Sequence, residues 1–89
     1  MNLLTNRELE VLNLISNGHS TKEIAIQLYL GASTIETYRR NLFFKLDCSN
    51  MAHLVRRGFE RGYLRIEIKQ SKNGKILPLI STPFQKTKP

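Results

Sequence analysis

One cysteine, Cys48, in 89 residues excludes an intrachain disulfide. The two histidines, His19 and His53, stand far apart, and no Cys/His cluster has zinc spacing, so no structural metal is expected. The N-terminus reads MNLLTNRELEVL, with acidic residues early and neither the basic stretch nor the apolar core of a signal peptide. No long apolar run is available to span a membrane. These absences predict a reducing, cytoplasmic setting with no membrane contact. Nor does any Ser/His/Asp grouping, phosphate loop or pair of carboxylates stand out, so neither an enzyme, nor a cofactor, nor a small-molecule ligand is expected.

At this length the chain is one domain near the lower limit for folding on its own core. Domains this small are marginal unless a partner, metal or disulfide helps. Net charge is +7, from 14 Lys/Arg against 7 Asp/Glu. Residues 1–64 hold 8 basic and 6 acidic side chains, whereas residues 65–89 hold 6 basic and one acidic (Glu67). The basicity is therefore concentrated in the tail. Such a chain suits a polyanionic partner, although bulk charge speaks only to association.

The pattern along residues 1–64 predicts four helices. Helix one spans about 6–17. Thr5 and Glu8 form a capping box, Leu4 and Leu9 a hydrophobic staple, and Leu9, Val11, Leu12 and Ile15 an apolar stripe. Gly18 ends it as a left-handed cap. Helix two, about 21–28, opens with a second capping box, Ser20 and Glu23, and turns Ile24 and Leu28 inward. After Tyr29-Leu30-Gly31, helix three spans about 32–46 on a stripe of Ile35, Leu42 and Leu46, with Ser33, Thr34, Glu36, Thr37, Arg40 and Asn41 off that stripe. Ser49 or Asn50 caps helix four, about 51–61, whose apolar members are Ala52, Leu54, Val55 and Phe59, and Gly62 terminates it. Gly58 in its middle signals close packing there, or simple tolerance.

From Tyr63 the period changes to two. YLRIEIKQ, then KNGK, then ILPLIS predict a hairpin over 64–81, with Asn73-Gly74 at its turn and Pro78 confining the second strand to an edge. The end, TPFQKTKP, reads as a disordered basic tail. The expected architecture is all-α, a four-helix domain over 1–64 with a C-terminal extension over 65–89.

Two short helices with almost nothing between them form a helix-turn-helix, in which the first braces against a DNA backbone and the second enters the major groove. Ala25 supplies the small crossing residue, and Ile24, Leu28, Leu30 and Ile35 lock the angle.

The ordered set Leu4, Thr5, Arg7, Glu8, Glu10, Val11, Leu12, Gly18, Lys22, Glu23, Ile24, Ala25, Leu28, Thr34, Asn41, Lys45, Leu46, Asn50 and Gly62 resembles the DNA-binding domain of the LuxR/NarL/GerE family of bacterial transcriptional regulators over residues 3–64. That resemblance implies sequence-specific binding of double-stranded DNA, with helix three reading bases and helix four joining a homodimer. It carries Glu36, Thr37 and Arg40 into the base-reading set. Arg40 suits guanine and Thr37 the thymine methyl, while Glu36 either accepts from cytosine N4 or pairs with Arg39 or Arg40 on a solvated face. Thr21, Lys22, Ser33, Thr34, Tyr38, Asn41 and Lys45 become backbone-contact candidates, the first two because a helix N-terminus favours phosphate. Ala52, His53, Arg56, Phe59 and Glu60 become the dimer interface.

Three departures from the family stand out. Gly31 occupies a usual serine position, Tyr38 a usual histidine, and Phe43-Phe44 positions that are commonly polar. Two adjacent aromatics cannot both face one core, so one is exposed or covered by the C-terminal segment. The chain begins at the domain's first helix, which fits a free-standing regulator or an excised domain whose Met1 is artificial. Rival readings are a sigma-factor-like promoter reader contacting RNA polymerase, or a protein-interaction module on the same scaffold.

Overall fold

The computed structural model describes residues 3–70, 74 and 76–82. Four helices are followed by one hairpin: α1 (Asn6–Ser16), α2 (Thr21–Leu28), α3 (Ala32–Lys45), α4 (Met51–Glu60), β1 (Arg65–Gln70) and β2 (Ile76–Ser81). Met1, Asn2, Ser71, Lys72, the expected turn residue Asn73, Lys75 and residues 83–89 lie outside the described residues; of the end expected to be disordered, 82–89, Thr82 is described and is buried.

Local chemistry sets each helix start. The Thr5 hydroxyl accepts the Glu8 N–H at 3.1 Å while the Glu8 carboxylate accepts the Thr5 N–H at 2.8 Å. Ser20 and Glu23 repeat the same exchange at 3.1 and 2.8 Å. Each box satisfies two backbone donors that the helix itself cannot reach. For α4, Asn50 rather than Ser49 is the cap, its side-chain oxygen accepting the His53 N–H at 2.8 Å. Gly31 caps α3 with an extended backbone but no side-chain bond.

All four helices stop in one way. A residue in the left-handed region follows the helix, and the next N–H bonds to the carbonyl five residues back. The residues are Gly18 (φ 91°), Tyr29 (φ 58°), Asp47 (φ 53°) and Gly62 (φ 80°). The bonds are His19 to Leu14 at 3.1 Å, Leu30 to Ala25 at 2.9 Å, Cys48 to Phe43 at 3.1 Å and Tyr63 to Gly58 at 2.8 Å. This geometry satisfies carbonyls that the last helical turn leaves open. It also draws α1, α3 and α4 in by one residue from their expected ends.

The core is the meeting of the four apolar stripes. Val11 and Leu12 of α1, Ile24 of α2, Ile35 and Leu42 of α3, Leu46, and Leu54 of α4 are fully buried. Each of the larger ones contributes about 1.5–3 kcal/mol by leaving water. Of the apolar members of α4, Leu54 takes the core side together with Gly58, whereas Ala52 is exposed. Gly58 is a close approach rather than a tolerated glycine, since a Cβ there would stand 2.5 Å from Cδ1 of Leu64. Of the adjacent aromatics, Phe43 is half-buried and Phe44 is 78% exposed.

The hairpin is antiparallel, with Arg65 opposite Ser81 and Gln70 opposite Ile76. Its two-stranded sheet makes both strands edges, so Pro78 removes no bond from a central ladder. A lone hairpin is marginal in water. Here α1 holds it: Asn13 and Asn17 donate to the Ile80 carbonyl at 2.9 and 2.8 Å, and the Ile80 N–H donates to Asn17 Oδ1 at 3.2 Å.

Candidate nucleic-acid interface

The ribbon's position decides whether α3 is open. It lies on α1, and Ser33, Thr34, Glu36, Thr37, Arg40 and Asn41 are all exposed. Ile35 and Leu42 bury the opposite side of the same helix. One apolar stripe thus fixes which side faces outward, as the 3.6-residue period requires.

The three expected base readers have different surroundings. Arg40 has no ion-pair or hydrogen-bond partner among the described residues, which leaves its full fork of donors outward. Thr37 donates its hydroxyl hydrogen to the Ser33 carbonyl at 3.1 Å, so its methyl and the acceptor side of its oxygen remain for a base. Glu36 lies against Arg39 Nη1, at 3.0 Å from Oε1 and 2.9 Å from Oε2. Of the two arginines expected beside Glu36, it is Arg39 that pairs with it.

The backbone-contact candidates divide as well. Lys22, at the first turn of α2, has no partner among the described residues. The Thr21 hydroxyl donates to Glu36 Oε2 at 3.1 Å. Its backbone N–H belongs to the helix's first turn, where the helix supplies no acceptor. Ser33, Thr34 and Asn41 are exposed, and Tyr38 is half-buried against the core. Lys45 is different, because its ammonium reaches inward to Glu8 Oε1 at 2.8 Å and to the Leu3 carbonyl at 3.2 Å. That ammonium is occupied inside the domain. The link joins residues 37 apart in sequence, which periodicity along a single helix does not reveal.

On α4, Ala52, Arg56 and Glu60 are exposed at successive four-residue steps, while His53 and Phe59 are half-buried and Phe59 packs on the core. Glu60 accepts from Arg56 Nε at 3.0 Å and stands 3.6 Å from Arg57 Nη1. Burial pushes the Cys48 thiol above its ordinary pKa, which fits an unreactive loop residue. Among the described residues there is no group of His, Cys, Asp and Glu that could hold a metal ion, and no helix long and apolar enough to cross a membrane.

The family profile described as bacterial regulatory proteins, luxR family, matches residues 2–57, more than half of the chain. The chain belongs to the LuxR family. This LuxR-family domain is 43% identical over 65 residues to the uncharacterized response regulatory protein YgeK of Escherichia coli, covering 73% of the chain and 44% of YgeK. Against the transcriptional regulatory protein DesR of Bacillus subtilis, identity is 38% over 64 residues, covering 72% of the chain and 32% of DesR. The chain therefore spans less than half the length of these curated relatives. Among solved structures, the transcription factor GerE superposes with a TM-score of 0.64 at 32% identity, over 70% of this chain and 92% of GerE. A Vibrio cholerae VqmA dimer, solved without its target DNA, gives 0.66 at 31% identity, over 70% of this chain and 28% of VqmA. The four-helix domain is accordingly a LuxR-type helix-turn-helix, and its family is one of regulatory proteins rather than enzymes.

Proposed function

We propose that this domain binds double-stranded DNA sequence-specifically and regulates transcription, with α3 in the major groove. The observation that carries the reading is the outward side of α3. It is polar, exposed and clear of the ribbon, and it carries Arg40, which has no partner among the described residues. The N-terminus of α2 adjoins that side, since Thr21 touches Glu36, so Lys22 and the first-turn N–H groups face the strand next to the groove. Arg40, Thr37 and Glu36 meet base edges. Lys22, Thr21 through its N–H, Ser33, Thr34, Tyr38 and Asn41 meet the sugar–phosphate backbone. Lys45 leaves that set, because freeing its ammonium would strand the buried carboxylate of Glu8.

Two copies dock in successive turns of the groove, with half-sites about 10 base pairs apart. Their interface is α4, where the small exposed Ala52 allows close approach, Arg56 and Glu60 can exchange partners across a two-fold axis, and His53 and Phe59 flank the contact. That a VqmA chain with the same fold is a dimer supports the pairing of two copies. The domain works in the cytoplasm, where the DNA of a bacterial regulator lies.

Selection of bound sequences from a random duplex pool tests the reading. The chain should enrich a site with two-fold symmetry. Arg40→Ala should lower affinity by roughly 1–3 kcal/mol and relax the choice at one base pair per half-site. A loss spread evenly over all sequences would move Arg40 to phosphate contact. Failure to bind mixed duplex at low salt would sink the DNA reading altogether.

A further inference from the structure

Arg39 lies off the outward side, yet its guanidinium touches three helices. Nη1 bonds both oxygens of Glu36 on α3 and reaches Thr21 Oγ1 of α2 at 3.4 Å. Nη2 points at Met51 Sδ of α4 at 3.7 Å. Its Nε is buried, without a hydrogen-bond partner among the described residues. An exposed Arg–Glu pair one helical turn apart is usually weak and exchanges freely with water. This one is braced from both sides, by the Thr21 hydroxyl on the same carboxylate and by α4 behind the guanidinium.

Bracing changes what Glu36 can do in a groove. A bare carboxylate between two phosphate strands is repelled. Paired with Arg39, the couple carries no net charge. An ionised carboxylate offers about four acceptor sites. Two Arg39 contacts and one Thr21 contact come from the protein side, and the Glu36 side chain remains 47% exposed. One acceptor position is left for a donor arriving from solvent or from a base edge.

We propose that Arg39 is a positioning residue for base recognition, holding Glu36 neutralised and aimed so that it accepts from the exocyclic amino group of a cytosine. The inference rests on the DNA reading above. Cytosine is the base chosen because it presents N4–H2 as a lone donor in the major groove. Adenine couples its amino group to the N7 acceptor, for which a carboxylate has no hydrogen. No other acidic residue lies on this side of α3.

The test selects sites from one random duplex pool with the full chain, Glu36→Gln, Arg39→Met and Arg39→Lys. Arg39→Met keeps the apolar stem beside Met51, and thermal unfolding of each variant reports whether the fold survives. The parent chain should show one cytosine position per half-site. Glu36→Gln should move that position towards adenine, whose N6 and N7 fit a carboxamide. Arg39→Met should flatten preference there by roughly 5- to 150-fold while leaving the Arg40 position intact. Arg39→Lys, a single charge without the fork, should restore part of it. Should Arg39→Met fail to fold, the Arg39→Lys pool carries the decision, by partial loss at that one position. An unchanged cytosine preference in both arginine variants overturns the inference and leaves the DNA reading standing, as does an equal loss at every position. A parent chain that binds no duplex overturns both.

Discussion

Lys45 Nζ stands 2.8 Å from Glu8 Oε1, and so ties the last turn of α3 to the first turn of α1. Glu8 is only 3% exposed. A carboxylate that deep is costly unless paired and hydrogen-bonded. It has both forms of support, since the same oxygen accepts the Thr5 N–H. Glu8 therefore serves the cap and the interhelical link together. Lys45→Met should remove the counter-charge and leave the carboxylate buried, at a cost of roughly 2–3 kcal/mol. Urea unfolding measures it. The Glu8→Gln/Lys45→Met double variant should recover part of that loss, because the two residues are coupled. Additive losses would mean that the pair contributes no coupling.

The same carboxylate makes stability depend on acid. Burial acts to raise the Glu8 pKa, but the hydrogen bond from Lys45, the Thr5 N–H and the Lys45 charge outweigh it, and the pKa lies below its ordinary 4.5. The unfolded chain then takes up a proton at higher pH than the folded one, so stability rises with pH through that interval. The contribution is complete above about 4.5 and is lost as pH falls towards the folded value. Glu8→Gln should flatten the fall in unfolding free energy below that point. Glu23, held low chiefly by the Ser20 N–H, is shifted in the same direction and adds to the slope that remains. An equally steep acid slope in Glu8→Gln would remove Glu8 as its source.

Tyr29 carries backbone strain that nothing around its side chain offsets. It sits at φ 58°, ψ 41° and is 94% exposed. Non-glycine residues enter this region at a cost of roughly 1–2 kcal/mol, and asparagine enters more readily than tyrosine. Tyr29→Asn should therefore stabilise the domain by about 0.5–1 kcal/mol, measured as a higher urea midpoint at unchanged slope. A destabilised Tyr29→Asn would show that the ring has a folded-state contact of its own.

Such positions mark where the sequence stops being readable. Both capping boxes, the buried stripes and the hairpin strands follow from rules that span a few residues, and they lie where those rules put them. Gly18 and Gly62 announce two helix ends, because glycine enters the left-handed region freely. Tyr29 and Asp47 end the other two; aspartate enters that region only occasionally, and tyrosine gives no signal of it at all. At the site, the period of α3 gives the outward side but not the company each side chain keeps. The bonds that commit Lys45, Thr21 and Arg39 cross between helices. Asn13 of α1 and Asn17 just after it likewise meet Ile80 across 67 and 63 residues.

Those asparagines decide how the ribbon behaves. Asn17 gives its Nδ2 to the Ile80 carbonyl and takes the Ile80 N–H on Oδ1, so one amide side chain continues the ladder where β2 has no further strand. Ile66 and Ile68 of β1 are 60% and 63% exposed, so burial of β1 does little to hold the hairpin down. Asn17→Ala removes both bonds to Ile80, each with a net worth of about 0.5–1.5 kcal/mol. Hydrogen exchange of the amides in 65–70 and 76–81 should then quicken by roughly 5- to 150-fold while amides of α1 to α4 keep their protection. Because the ribbon lies on α1 and leaves α3 open, the duplex sequence selected by Asn17→Ala should match that of the parent chain. Faster exchange throughout the helices would make the ribbon part of the cooperative core, and a changed selected sequence would tie its docking to the orientation of α3.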